Sequence, residues 1–266
     1  MNETAQNESA GISGKPSRRL SLGWKTRHLL VLLVAGLGTY VFLESRAQWS
    51  EMHRWNRALG DMSVVLIAIS MAIGPLARLS GIFRKAIPWR REIGIYGVLL
   101  AVAHTVVILA GWVQWDLIRL FGYELHPATG VYVMLQHGFG LANVIGIVAL
   151  VYGLVLAFAS NDWSQRVLSG PVWKFLQQSA YVLWMLIVIH TAYFLYLHFQ
   201  DFHRSMPDPN WAQLPFAGLI LFVSLLQFAA FVKTWRSKRS SRRKPAPSWE
   251  RRKEAVAPPD GFTASR

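Results

Sequence analysis

Six blocks of apolar sequence constrain this chain more than any other feature. They run from about Leu29 to Phe42, Leu59 to Leu76, Ile93 to Val113, Val133 to Phe158, Phe175 to Leu197 and Leu214 to Val232. A helix rising about 1.5 Å per residue needs roughly 20 apolar residues to cross the hydrocarbon of a bilayer. Each block meets or approaches that length, and its apolar residues run on rather than alternating with polar ones. Lipid offers no water to backbone amides and carbonyls, so such segments must satisfy their hydrogen bonds internally, as helices. The chain is therefore expected to be an all-α integral membrane bundle of about six transmembrane helices. The first block is the shortest. Its polar leader, Met1 to Arg27, is long for a secretory signal, and no small-x-small cleavage site follows Phe42, so this block too is read as a helix.

Three regions follow. Residues 1–22 are polar and are expected to be a disordered cytoplasmic N-terminus, residues 23–232 one helical membrane domain, and residues 233–266 a basic disordered cytoplasmic tail. The sequence contains neither a Gly-x-Gly-x-x-Gly fingerprint nor a Walker loop, and no stretch suits a dinucleotide-binding fold. No internal repeat stands out, which weighs against a transporter.

A formal net charge of +14 raises the question of nucleic acid, and its placement answers it. Lys and Arg gather at Lys15 to Arg27, at Arg78 to Arg91, and from Lys233 onward, that is, before the first block, between the second and third, and after the sixth. The alternate loops are mixed or slightly acidic. Cations held on one side of a membrane set orientation, so both termini are expected in the cytoplasm of a bacterium, with the chain multi-pass in the inner membrane. The basic tail then faces anionic membrane lipid, and no nucleic-acid partner is expected.

Cysteine is absent, which excludes disulfides, thiolate metal sites and covalent haem attachment through Cys-x-x-Cys-His. Any metal must be held by histidine or oxygen. Two histidines fall deep within blocks, His104 in the third and His190 in the fifth. His104 lies about 20 Å along its helix from Arg91, and His190 about 24 Å from Lys174, so both reach similar depth in the outer half of the bilayer. Paired imidazoles at matched depth on two helices suit a haem iron clamped from both faces. Gly94, Gly97 and Ala101 share the His104 stripe and leave room for a flat macrocycle or for a close neighbouring helix. On spacing alone, haem ligation and simple interhelical packing stand level. His137 opens the fourth block and is a weaker candidate for lining a haem pocket or quinone site. Arg54, Arg57 and Arg119 face outside and are candidates for pairing with haem propionates. Many of the 12 Trp, including Trp55, Trp89, Trp112, Trp115, Trp173 and Trp211, sit near block ends as an aromatic belt.

Several stretches then carry a likeness. Gly74-Pro75-Leu76-Ala77-Arg78 closes the second block; Arg90-Arg91-Glu92-Ile93-Gly94 precedes His104 by ten residues from the glycine. Gly146 through Leu156-Ala157-Phe158-Ala159-Ser160 fills the fourth, and Trp173-Lys174-Phe175-Leu176, Tyr181 and His190 the fifth. Over about residues 57 to 197 the chain resembles the ferric-reductase-like transmembrane family, in particular the haem-binding membrane subunits of bacterial periplasmic methionine-sulfoxide reductase systems. The resemblance implies that His104 and His190 ligate a b-type haem. It also implies a further histidine directly after Leu176, where this chain has Gln177. One haem is therefore expected and the inner one is missing or held differently, with His28 a weak substitute.

The expected function is electron transfer by a subunit of an oxidoreductase that is not self-sufficient. Electrons would arrive from a quinol or a cytoplasmic flavin reductase, with a quinone or flavin as possible additional cofactor. They would leave to ferric iron or a periplasmic oxidoreductase such as the family's molybdenum-containing partner. The competing expectation is a haem-free transporter or assembly module with structural histidines.

Overall fold

The computed structural model describes residues 23–134, 138–198 and 210–242. Six helical segments in it are long and apolar enough to cross a membrane, and the chain is an all-α membrane bundle. Helix α1 spans Trp24–Glu44, α2 Glu51–Leu79, α3 Trp89–Val107 and α4 Phe139–Ala159. The short α5, Asp162–Val167, leads to α6, Gly170–Gln178, and α7, Ala180–Ala192, which together form the fifth span; α8 runs Gln213–Arg242.

Helix α2 is the centre of the bundle. In its most apolar stretch 61% is buried, against 11–28% in the other five spans, and it packs on α1, α3, α7 and α8. The outer spans turn Leu33 and Leu37 of α1, Val151 and Phe158 of α4, and Phe222, Leu225 and Phe228 of α8 outward, as a lipid-facing surface requires. Val64, Ile67, Ala68 and Met71 of α2 meet Trp184 of α7 and Phe216 and Val223 of α8 in the main core. A second cluster joins Ala35, Met62 and Leu66 to Tyr96 and Leu100, and a third joins Ala149 and Leu156 of α4 to Leu183 of α7.

Close approach of α2 and α3 depends on one glycine. A Cβ on Gly97 would stand 2.8 Å from Cγ1 of Ile67, and the Gly97 carbonyl accepts a 2.7 Å hydrogen bond from Ser63 Oγ. Gly94 likewise faces Ser70 of α2. The glycine stripe on the His104 helix is thus a helix-packing surface, and the macrocycle reading of that stripe does not hold.

Polar contacts fix which helix ends lie together. Arg57 of α2 donates to the Phe194 carbonyl beyond α7, and Arg46 beyond α1 lies over the Trp211 ring before α8. At the other end Arg27 of α1 pairs with Glu92 of α3, Arg91 with Asp162 of α5, and Lys233 of α8 donates to the Leu79 carbonyl of α2. The helices therefore alternate in direction.

Three boundaries differ from the sequence expectation. Val133 does not begin a helix. It lies in β2, Tyr132–Met134, which pairs antiparallel with β1, Tyr123–Leu125, and α4 starts only at Phe139. The β-branched and aromatic residues Val131, Tyr132 and Val133 suit an extended strand, and Pro127 and Gly130 in the connection suit a turn. The fifth span is broken at Ser179. Finally, α8 continues ten residues past Val232 to Arg242, because no proline interrupts it before Pro245. The remainder of the basic tail, residues 1–22 and His137 lie outside the described residues.

Candidate functional site

The end of the bundle where α2 and α4 begin holds two matching histidine arrangements. Nδ1 of His104 donates to the Asn56 carbonyl of α2 at 2.9 Å, and Nδ1 of His190 donates to the Ala142 carbonyl of α4 at 2.8 Å. A carbonyl can only accept, so in each neutral ring the hydrogen is on Nδ1 and Nε2 keeps its lone pair. This is the arrangement by which metal-ligating histidines are oriented and made more basic.

Each ring also rests on a glycine one helical turn beyond its carbonyl partner. A Cβ on Gly60 would be 3.2 Å from the His104 ring, and a Cβ on Gly146 would be 2.5 Å from Cε1 of His190. The carbonyl at i and the glycine at i+4 lie on one helical face, so a single stripe anchors the ring and makes room for it. Both histidines stand 48 residues after their carbonyl partner. Both also precede a π-helical segment, Ile108–Trp112 after His104 and Tyr193–Leu197 after His190. Such segments are rare and concentrate at functional sites. Carbonyls of the second one are used by side chains: Arg57 Nη2 donates to Phe194 O and Gln213 Nε2 to Leu195 O, the latter at 2.6 Å. No repeat was visible in the sequence, yet the α2–α3 and α4–α7 pairs use the same device.

Both imidazoles lie at the same end of the bundle, His104 against the first turns of α2 and His190 against the first turn of α4. Arg57 lies at the same end, donating to the Phe194 carbonyl four residues after His190. Helices α3 and α7 are held together mainly through α2 and α4 instead of packing closely on each other. Phe194 lies edge-on to His190, with ring centroids 5.0 Å apart, and Phe139, Tyr193 and His198 surround Phe194. Two anchored neutral imidazoles on separate helices, with aromatic side chains around one of them, form a donor set that fits a haem iron.

Of the three arginines considered for haem propionates, Arg57 donates to the Phe194 carbonyl close to His190. Arg54 pairs with Glu44 at 3.1 Å and Arg119 with Glu124 at 3.7 Å. Beside Arg57 lies an ion pair that the sequence reading missed. Arg46, 1% exposed, contacts Asp61 of α2 and is stacked over by Trp49 and Trp211. Asp61 falls inside the second apolar block, and an ionisable residue in a span is itself a signal. Glu92, 2% exposed and paired with Arg27 at 2.8 Å, was passed over in the same way.

The inner candidates lie apart. His28 of α1 contacts Trp24 and Tyr96 edge-on at 5.6 and 5.7 Å. Gln177 of α6 donates to Ser160 Oγ at the end of α4, at 3.4 Å. Among the described residues nothing brings His28 and Gln177 to one site.

Fold and site together define a class: a multi-pass helical membrane protein with two anchored imidazoles at one end of the bundle. Residues 58–187, just under half of the chain, match the family described as ferric reductase like transmembrane component. The match includes His104 and ends three residues before His190. The chain is 31% identical over 136 residues to the magnetosome protein MamZ of Paramagnetospirillum magneticum, covering 51% of this chain and 19% of that protein. It is 27% identical over 134 residues to the protein-methionine-sulfoxide reductase heme-binding subunit MsrQ of Bordetella parapertussis, covering 50% of this chain and 58% of that one. With MsrQ of Ralstonia nicotianae the figures are 28%, 50% and 55%. The similarity therefore spans about a fifth of MamZ and just over half of MsrQ.

Proposed function

We propose that this chain is a b-type haem-binding membrane subunit that passes electrons to an acceptor on the far side of the bilayer. The observation that carries the reading is the pair of imidazoles, His104 and His190, each with Nδ1–H bonded to a helix carbonyl and Nε2 left to ligate. The naming of the MsrQ relatives as heme-binding subunits supports it. A haem held by these two residues supplies one-electron transfer. The chain's own residues do the rest. Asn56 and Ala142 orient the rings, Gly60 and Gly146 admit them, and the half-buried Arg57 is a cation suited to a haem carboxylate.

One haem per chain is proposed. The position of Gln177 offers an amide bonded to Ser160, and His28 is packed between Trp24 and Tyr96. The end of the bundle rich in Lys and Arg is assigned to the cytoplasm of a bacterial inner membrane. The donor is then a quinol or a cytoplasmic flavin reductase, and the acceptor ferric iron or a periplasmic oxidoreductase. The domain proposed to do this is residues 23–232.

A reduced-minus-oxidised spectrum of the purified chain, with chemical haem quantification, tests the reading. A bis-imidazole b-type spectrum that a quinol or flavin reductase can elicit supports it. Colourless protein, even after haem supplementation, contradicts it and favours a haem-free transporter or assembly module.

A further inference from the structure

At the end opposite the histidines, α8 leaves the apolar layer as a cation-bearing helix. Phe228, Ala229, Val232, Lys233 and Arg236, all on α8, line a shallow, open groove of about 400 Å³. These positions fall at i, i+1, i+4, i+5 and i+8, one stripe of the helix about 12 Å long. Its first three members are apolar and its last two are cationic. Phe228 is 65% exposed, so a large apolar surface opens directly beneath the charges.

The charges are placed, not scattered. Lys233 Nζ donates to the Leu79 carbonyl at 2.8 Å, at the C-terminal end of α2, where carbonyls lack helical partners and carry partial negative charge. Arg236 follows one turn further along α8. Two residues beyond Leu79 begins the turn Gly81–Ala86, which exposes Arg84 and Lys85 at the same end of the bundle. Between Gln213 and Arg242 the sequence carries Lys233, Arg236, Lys238, Arg239 and Arg242 and no Asp or Glu.

We propose that this groove seats one anionic phospholipid, with an acyl chain along Phe228 and Val232 and its phosphate at Lys233 and Arg236. The argument is charge complementarity at a fixed boundary. The groove lies where the sixth span passes from apolar to cationic, which is where a phospholipid changes from chain to headgroup. A soluble anion satisfies the cations and leaves the apolar half bare. A zwitterionic lipid brings its own ammonium group to a site that already carries two cations. The inference is independent of the haem reading.

The test is native mass spectrometry of the detergent-purified full chain titrated with phosphatidylglycerol or with phosphatidylcholine. The expected result is one retained phosphatidylglycerol adduct, roughly fivefold weakened for each cation removed in Arg236→Gln and in Lys233→Gln/Arg236→Gln. Phosphatidylcholine is retained less than phosphatidylglycerol. The variant Arg84→Gln/Lys85→Gln, outside the groove, leaves retention unchanged. Val232→Trp, which fills the apolar half and keeps both charges, lowers phosphatidylglycerol retention. Equal retention of the two lipids, or undiminished retention in Arg236→Gln, overturns the proposal. Displacement of the adduct by millimolar inorganic phosphate also overturns it, because the site would then recognise a free anion.

Discussion

The His190 imidazole lies directly on the backbone of Gly146, with Cε1 2.5 Å from where a Cβ would stand. The Ala142 carbonyl one turn earlier holds the same ring through Nδ1, so the ring cannot retreat without losing its anchor. Gly146→Ala is therefore expected to push His190 off its carbonyl and to weaken haem retention about 10- to 100-fold, the range for lost outer-shell support of a metal ligand. Gly60→Ala is expected to act in the same direction but less, because the corresponding distance to His104 is 3.2 Å. Haem-to-protein ratios of the two variants, at unchanged helicity, check the order. Equal effects would contradict the cradle as described.

Arg46 is almost fully buried and depends on Asp61 for its countercharge. Removing one member of a buried ion pair costs about 3–5 kcal/mol because the other is left unpaired, whereas replacing both by apolar groups is much milder. Asp61→Ala is expected to lower stability in detergent by that amount, and Arg46→Met/Asp61→Leu to recover most of it. Denaturation followed by circular dichroism measures both. A double variant no better than the single would show that the pair is not a closed unit.

Gly97 sets the distance between α2 and α3. Gly97→Val forces Ile67 to move and is expected to cost about 1–3 kcal/mol, as overpacking does. Gly94→Ala, where the nearest atom is Ser70 Oγ at 3.4 Å, is expected to be tolerated. Melting curves of the two variants separate a packing role from a pocket role.

If His28 only packs on Trp24 and Tyr96, then His28→Ala leaves the haem-to-protein ratio at the wild-type value. A ratio halved by this substitution would mean that His28 ligates a second haem. Gln177→His is expected to add none, because among the described residues His28 is the only imidazole at that end and it lies against α3, while Gln177 lies against α4.

The six spans were legible because lipid imposes one solution on a long apolar run, and His104 and His190 were legible because a polar ring within such a run is costly. What anchors them was not legible. Asn56, Gly60, Ala142 and Gly146 matter through contacts 44 or more residues away in sequence, and Ala142 acts only through its backbone. The glycine stripe on α3 pointed equally to a pocket and to a neighbouring helix, and only the position of Ile67 decided it. Asp61 and Glu92 were readable in principle, since each is an ionisable residue at or within a span. The hairpin after α3 was obscured because Val131, Tyr132 and Val133 are as apolar as the helix that follows.

The most direct measurement is haem per chain in wild type, His104→Ala and His190→Ala, purified identically and each shown to remain helical and monodisperse. The account predicts about one haem in the wild type, and its loss in either variant with partial return of the spectrum on adding free imidazole. Retention of the full b-type spectrum in either variant would contradict ligation by this pair.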